Sequence, residues 1–212
     1  MYIPSSFRMD DRAELLAFMR AHPFATLVSW LPDGPIATHL PVVIEEHGEA
    51  LVITGHVARQ NPHAAAFDGR SPSLVIFTGP HAYVPAALYE HAENVPTWNY
   101  IAVHATGAPH AISMERDRAR MDGAMHDMVD TFDPAYHAQY AALSERFREG
   151  MLKGITLFAL PVTHIEGKAK LSQNRNPHDQ ASVAAHLLEH EDPAARATGE
   201  AMRSRQESAH DL

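Results

Sequence analysis

Residues 51–67 read LVITGHVARQNPHAAAF. Leu51, Val52 and Ile53 are an apolar run suited to a strand, and Thr54, Gly55 and His56 interrupt it with small and polar groups. Asn61 followed by Pro62 has the signature of a helix cap and a first helical position. The stretch therefore predicts a strand ending near Thr54, a corner, and a short helix to Phe67. At such a corner several backbone N–H groups point one way and a helix dipole adds partial positive charge, so an anion such as a phosphate is a fitting guest. Arg59 and His56 offer further donors and Thr54 a hydroxyl. A plain strand-to-helix corner with a solvated arginine accounts for the same residues, and the glycine spacing of Rossmann and Walker loops is absent.

Working outward, the chain before this stretch reads as a helix and a hairpin. Asp11 with Glu14 resembles a capping box, Leu15, Leu16, Phe18 and Met19 supply an apolar face to about Ala21, and His22-Pro23 stops it. Phe24 to Trp30 is rich in strand formers, Leu31-Pro32-Asp33-Gly34 is a turn, and Pro35 to Ile44 is the return arm. After the stretch, Ser73 to Thr78 is a strand and Ala82 to Pro96 an ordered loop with a short helical turn. Thr97 to Gly107 alternates, placing Trp98, Tyr100, Ala102 and His104 on one face and Asn99, Ile101 and Val103 on the other. Ser113 to Val129 is helical, with Met114, Met121, Met125 and Met128 spaced as core filler. A further helix runs from Asp133-Pro134 toward Phe147. Ile155 to Glu166 is a strand continuing past Pro161, residues 167–175 are a basic run, and Asp179 to His190 and Pro193 to Arg205 are helices. This order predicts an α+β chain, mainly β: a single small antiparallel barrel over residues 1–212 with a helical insert at about 113–147 and a helical tail at about 178–212.

Composition removes several function classes. The 212 residues contain no cysteine, so disulfides, thiolate metal sites and a cysteine nucleophile are excluded. No run approaches the roughly 20 apolar residues of a bilayer span and no export signal is visible, which predicts a cytoplasmic protein without a membrane partner. The formal charge is −9 with the 16 histidines neutral, a balance that repels a nucleic-acid backbone.

His186-Leu187-Leu188-Glu189-His190 matches the inverted zincin pattern literally, but it lies on an apolar stripe near the C-terminus and reads as an ordinary solvated helix. No Gly-x-Ser-x-Gly elbow is present, and no catalytic acid or base stands out. His22, His47 and His63 fall in turns and read as solvent-facing. His39, His56, His81 and His104 lie on or beside strands, where with Trp98 and Arg59 they are able to ring one pocket.

Six stretches fit one family together: MYIP at the start, THLP (Thr38 to Pro41), GHVARQNP (Gly55 to Pro62), FTGPHAYV (Phe77 to Val84), PTWNY (Pro96 to Tyr100) and KLSQNR (Lys170 to Arg175). In order and spacing the chain resembles the PaiB-type family of FMN-binding negative transcriptional regulators. The resemblance implies a flavin-reductase-like split β-barrel, a homodimer with FMN at the subunit interface. It implies Thr54, His56, Arg59, Gln60 and Asn61 on the phosphate side, and Thr38, His39, Leu40 and Pro41 along the isoalloxazine ring, with Leu40 packed on a ring face. The resemblance also implies that Trp98 and Asn99 come from a neighbouring wall, of the same or of the partner subunit, and that Lys170 and Gln173 reach the flavin or its phosphate. Arg59 stands where such proteins often carry lysine, and its forked donors serve a phosphate at least as well. The insert and the tail match no motif of the family.

Two other readings stay open beside this one. A flavin-dependent oxidoreductase acting on a small molecule suits the acidic charge and the absence of a helix-turn-helix, which also make any contact with DNA indirect or weak. A haem-handling protein on the same barrel would use one of the histidines as axial ligand.

Overall fold

The computed structural model describes residues 1–113, 115 and 117–210, apart from the side chains of 208–210. Met114, first of the four spaced methionines, lies outside the described residues. In chain order the elements are β1 (Arg8–Met9), α1 (Arg12–Ala21), β2 (Phe24–Leu31), β3 (Gly34–His47), β4 (Ala50–Ala58), β5 (Ser73–Val84), β6 (Thr97–Gly107), β7 (His110–Ile112), α2 (Arg118–Phe132), α3 (His137–Ala142), α4 (Glu145–Leu152), β8 (Ile155–Lys170), α5 (Pro177–Leu188) and α6 (Pro193–His210). Short 3-10 turns occupy Pro62–Ala66 and Ala86–Leu88. The chain forms two compact units. One comprises Met19–Phe77 and His104–Ile165, the barrel unit; the other comprises Met1–Phe18, Thr78–Val103 and Glu166–Leu212, the terminal unit.

In the barrel unit β2 and β3 form the expected hairpin, paired from Phe24↔Pro41 to Leu31↔Gly34, with Gly34 at φ +126° taking a backbone conformation that side chains resist. β3 pairs onward with β4, β4 with β8, and β2 with β5. β6 lies beside β5 and also pairs with β8, so the order β8-β4-β3-β2-β5-β6 returns to its start. Thr163 Oγ1 donates to the Thr106 carbonyl at 3.1 Å near this closure. Leu27, Leu40, Val42, Ile53, Val75, Phe77, Phe158 and Leu160 are buried, the alternation of each strand turning them to one side.

β4 corrects the sequence reading at its key point. The strand does not end near Thr54; it continues to Ala58, with Gly55 paired to Val42 on one side and to Phe158 on the other. Gly55 is therefore a ladder residue and not a hinge. Its missing side chain makes room instead, since a Cβ there would lie 3.0 Å from the Phe158 ring and 3.1 Å from Leu40.

The helical insert begins at α2, whose cap Asp117 accepts from the Arg120 amide at 3.3 Å. The helix expected toward Phe147 is split, because Leu143 is extended and Ser144 caps a fresh start, accepting from the Phe147 amide. Met121, Ala124, Met128 and Leu152 pack on Ile112, Leu157 and Ala159, joined by Val43, Val52, Met125 and Ile155. These methionines fill a core, as their spacing implied. Burying each such side chain is worth roughly 1.5–3 kcal/mol, whereas the Arg118 pairs with Asp122 and Glu149 are screened by solvent and add little. Packing, not charge, holds the insert on the sheet.

In the terminal unit β1 pairs with the end of β8 through Arg8↔Lys168 and Met9↔Gly167. Along β6, Asn99, Ile101 and Val103 are buried while Trp98 is exposed, the alternation expected from sequence. α5 and α6 bury Val183, Leu187, Ala195 and Met202. No helix among the described residues is long and apolar enough to cross a membrane.

Closure of the barrel generates a paired prediction. A Cβ on Gly107 would stand 2.1 Å from the Pro161 carbonyl oxygen, a backbone atom that cannot step aside, so Gly107→Ala should destabilise by about 3 kcal/mol. Gly123, inside α2, has nothing within 4 Å of a built Cβ, so Gly123→Ala should stabilise by about 0.5–1 kcal/mol. Denaturant melts of both variants check this, and a neutral Gly107→Ala would contradict the tight closure.

Candidate cofactor site

The corner after β4 is built as a capped turn. Asn61 is extended, its Oδ1 accepts from the His63 amide at 2.9 Å, and Pro62 opens the 3-10 turn Pro62–Ala66. The Arg59 amide donates to the Gly154 carbonyl and the Asn61 amide to the Ala58 carbonyl. Amides of Arg59, Asn61 and His63 are thus already bonded, and the turn is too short to carry a substantial dipole. Any anion held at this corner is held by side chains. Arg59 and Gln60 are exposed, and among the described residues no carboxylate pairs with Arg59.

His63 corrects the expectation of a solvent-facing turn residue. Its ring is fully buried. Nδ1 lies 2.8 Å from Thr38 Oγ1, and Nε2 lies 2.7 Å from Ser29 Oγ, which is in turn 2.7 Å from Ser73 Oγ. Asn61 Nδ2 donates to the same Thr38 oxygen at 3.3 Å. Thr38 from the THLP stretch and Asn61 from the GHVARQNP stretch, 23 residues apart, thereby meet in one hydrogen-bonded cluster. His63, Ser29 and Ser73 were missed from sequence. The available signal was the cap itself, since an Asn-Pro start turns the second residue after the cap back under the turn beside Ala66, which is also buried.

Other candidates go elsewhere. Leu40 is buried in the barrel against Gly55, so it is not free to cover a ring face. His39 and Pro41 alternate to the opposite face of β3, where His39 Nδ1 lies 2.9 Å from Thr26 Oγ1. Thr54 and His56 share their face of β4 with Val52, the face on which the insert packs. Thr54 is buried and donates to Glu45 Oε1 at 2.6 Å, a carboxylate neighbour that disfavours a phosphate. His56 is half-buried and its Nδ1 is buried with no partner among the described residues.

In the terminal unit a second set converges. Lys170 Nζ donates to the Trp98 carbonyl at 2.8 Å and to Thr97 Oγ1. Trp98 is half-exposed, with His81 and Tyr83 ring centroids 5.6 and 6.0 Å away. Lys168 bonds the Tyr2 carbonyl at 3.2 Å and sits 5.1 Å from the Tyr100 ring centroid. Burial first, then the neighbouring charges of Lys168 and Arg175, push the Lys170 ammonium below its usual range. The MYIP, FTGPHAYV, PTWNY and KLSQNR stretches therefore gather around one cationic, aromatic patch. Asn99 and Gln173 support it from within. Asn99 is fully buried and donates to Ser172 Oγ at 2.9 Å, holding a residue at φ +65°, while its Oδ1 has no partner among the described residues. Gln173 bridges its own loop, accepting from the Leu171 amide at 2.7 Å and donating to the Ala169 carbonyl at 2.5 Å.

The zincin-like pair ends differently. His186 is in the last turn of α5 and His190 follows the helix, its Nδ1 accepting from the Asp192 amide. Among the described residues no cluster of three metal-ligating side chains occurs.

Residues 1–164 match the family model described as "Putative FMN-binding domain". The chain is 36% identical over 207 residues to "Protease synthase and sporulation protein PAI 2" of Bacillus subtilis (strain 168), covering 97% of this chain and 98% of that protein. Among solved structures it is similar to the flavocytochrome Anf3 from Azotobacter vinelandii, with TM-score 0.62, 15% identity, and coverage of 82% of this chain and 75% of that one. It is also similar to the FAD and haem binding protein from Mycobacterium smegmatis, with TM-score 0.57, 19% identity, and coverage of 82% and 78%. At such identities the likeness is one of fold, and the fold is the split barrel expected from sequence.

Burial lowers the pKa of His22, His56, His63 and His110 below the ordinary 6.5, with Arg120 adding to the effect on His110. All four are in the barrel unit. The folded chain then resists protonation where the unfolded chain accepts it, so stability present above pH 6.5 is lost as pH falls toward the folded values. Thermal melts at pH 7.5 and 5.5 should show the lower midpoint at pH 5.5; an equal or higher midpoint there would contradict the burial of these rings.

Proposed function

The chain belongs to the FMN-binding-domain family, and from that premise we propose that it is an FMN-binding split-barrel regulator of the PaiB type that works as a homodimer. The observation that carries the reading is the Asn61 to Thr38 hydrogen bond, which joins two family motifs at a corner whose exposed Arg59 pairs with no carboxylate among the described residues. The residues present fit the group. A phosphate dianion requires charge-assisted donors, which Arg59 offers as a fork with Asn61 and Gln60 beside it. A flavin ring requires edge hydrogen bonds, which Thr38 offers from the same cluster as Asn61. When bound, FMN supplies the electron-transfer chemistry, and the protein's share is to bind, orient and exclude water.

The homodimer is supported by the outer face of the β2-β3-β5 sheet. Cross-strand neighbours Phe24 and Pro41, Val28 and Ala37, Trp30 and Pro35, Val28 and Leu74, and Thr26 and Ile76 share that face. Phe24 is 69% and Trp30 73% exposed. An apolar sheet face of this extent is the kind that a second copy covers. Regulation by the dimer is read from the 36% identity to the sporulation protein, and contact with DNA is indirect or weak given the charge of −9. We assign the protein to the cytoplasm on the same reading.

Fluorescence titration of FMN into the purified chain tests the cofactor. Saturable quenching is expected, and Arg59→Ala should weaken it by about 2 kcal/mol, the scale of a hydrogen bond to a charged group. No uptake of FMN would overturn the reading. For the dimer, Trp30→Glu should shift sedimentation from dimer to monomer; a wild-type monomer at micromolar concentration would remove the interface.

A further inference from the structure

A neutral imidazole has one N–H and one lone-pair nitrogen, so a buried histidine with hydroxyls on both sides fixes the direction of its neighbours' hydrogens. Two arrangements satisfy the Ser73, Ser29, His63, Thr38 and Asn61 chain. In the first, His63 Nδ1–H donates to Thr38 and Ser29 donates to Nε2. Thr38 Oγ1 then receives two N–H donors, from His63 and Asn61, and both its lone pairs are filled. Its own O–H then has no acceptor within this cluster and is left for a guest. In the second, His63 Nε2–H donates to Ser29, which donates to Ser73, while Thr38 spends its O–H on His63 Nδ1. Thr38 then offers a guest a lone pair and no hydrogen.

We propose that His63 is a positioning residue which sets the donor direction of Thr38, adopting the Nδ1–H form so that the Thr38 hydroxyl donates to an acceptor nitrogen or oxygen on the bound cofactor. This rests on the FMN reading, since the edge of an oxidised isoalloxazine is mostly acceptors. The ring is well suited to the task. Fully buried, it exchanges its hydrogen bonds with no solvent, and burial keeps it neutral. Thr38 is half-buried at the open end of the chain, where Asn61 is also half-buried. The serines close the other end inside the barrel, both buried.

Two conservative variants separate positioning from mere packing. Asparagine places an amide where Nδ1 was and keeps the bond to Thr38; glutamine reaches the Nε2 position and keeps only the bond to Ser29. In the full-length chain, His63→Asn should retain FMN affinity within about threefold, while His63→Gln and Thr38→Val should each lose about tenfold, the scale of one hydrogen bond. Long-range proton–nitrogen correlation of the histidine rings should show His63 protonated at Nδ1 in the FMN-loaded protein. Circular dichroism and melting temperature identify any variant that fails to fold, and Thr38→Val with the ring spectrum then decides. An Nε2–H ring in the loaded protein, or wild-type affinity in a folded His63→Gln or in Thr38→Val, overturns the assignment while leaving FMN binding intact. A wild-type chain that takes up no FMN overturns the cofactor reading and this proposal with it.

Discussion

A fully buried imidazole must find its hydrogen-bond partners inside the protein, because an unpaired polar atom there costs about 1–3 kcal/mol. His63 finds them in Thr38 on one side and Ser29 on the other. That requirement fixes three things at once. The 3-10 turn after β4 must lie against the hairpin of β2 and β3, Thr38 must turn inward from β3, and Asn61 must cap the turn and reach the same hydroxyl. The corner nominated by the sequence is thus held by a side-chain network and not by a helix dipole.

The same economy divides the two faces of β4. One face carries Ile53, Gly55 and Val57 into the barrel, where Phe158 leaves no room for a Cβ at Gly55. The other carries Val52, Thr54 and His56 under the insert, whose methionines complete a second core. Thr54 on that side is buried and bonds Glu45, a carboxylate neighbour that disfavours a phosphate. Alternation along one strand, with period two, therefore decides which motif residues are available to a cofactor and which are structural.

Most of the architecture was legible because it follows from local chemistry. The Asp11 cap, the Leu31 to Gly34 turn and the Asn61-Pro62 start all involve neighbours in sequence, and the alternation along β6 separates buried Asn99 from exposed Trp98. Glycine at position 55 misled because its small size answers to Phe158, a partner 103 residues away that no local pattern reveals. His63 misled for a related reason: turn residues are usually solvated, and its burial depends on hydroxyls from two distant strands. Of the motif residues, Thr38, Arg59, Gln60 and Asn61 gather in the barrel unit and Trp98 and Lys170 in the terminal unit. Leu40, Thr54, Asn99 and Gln173 serve the scaffold.

Family membership makes this an FMN-binding-domain chain, and the proposed cofactor site centres on the side chains around Thr38. The most direct measurement is a methyl-detected titration of threonine-labelled protein with FMN, the Thr38 and Thr54 signals being assigned by substitution. The Thr38 methyl should shift saturably while the Thr54 methyl, buried beside Glu45, stays in place. A shift at Thr54 with Thr38 unmoved would put the cofactor on the opposite face of the sheet and contradict the account.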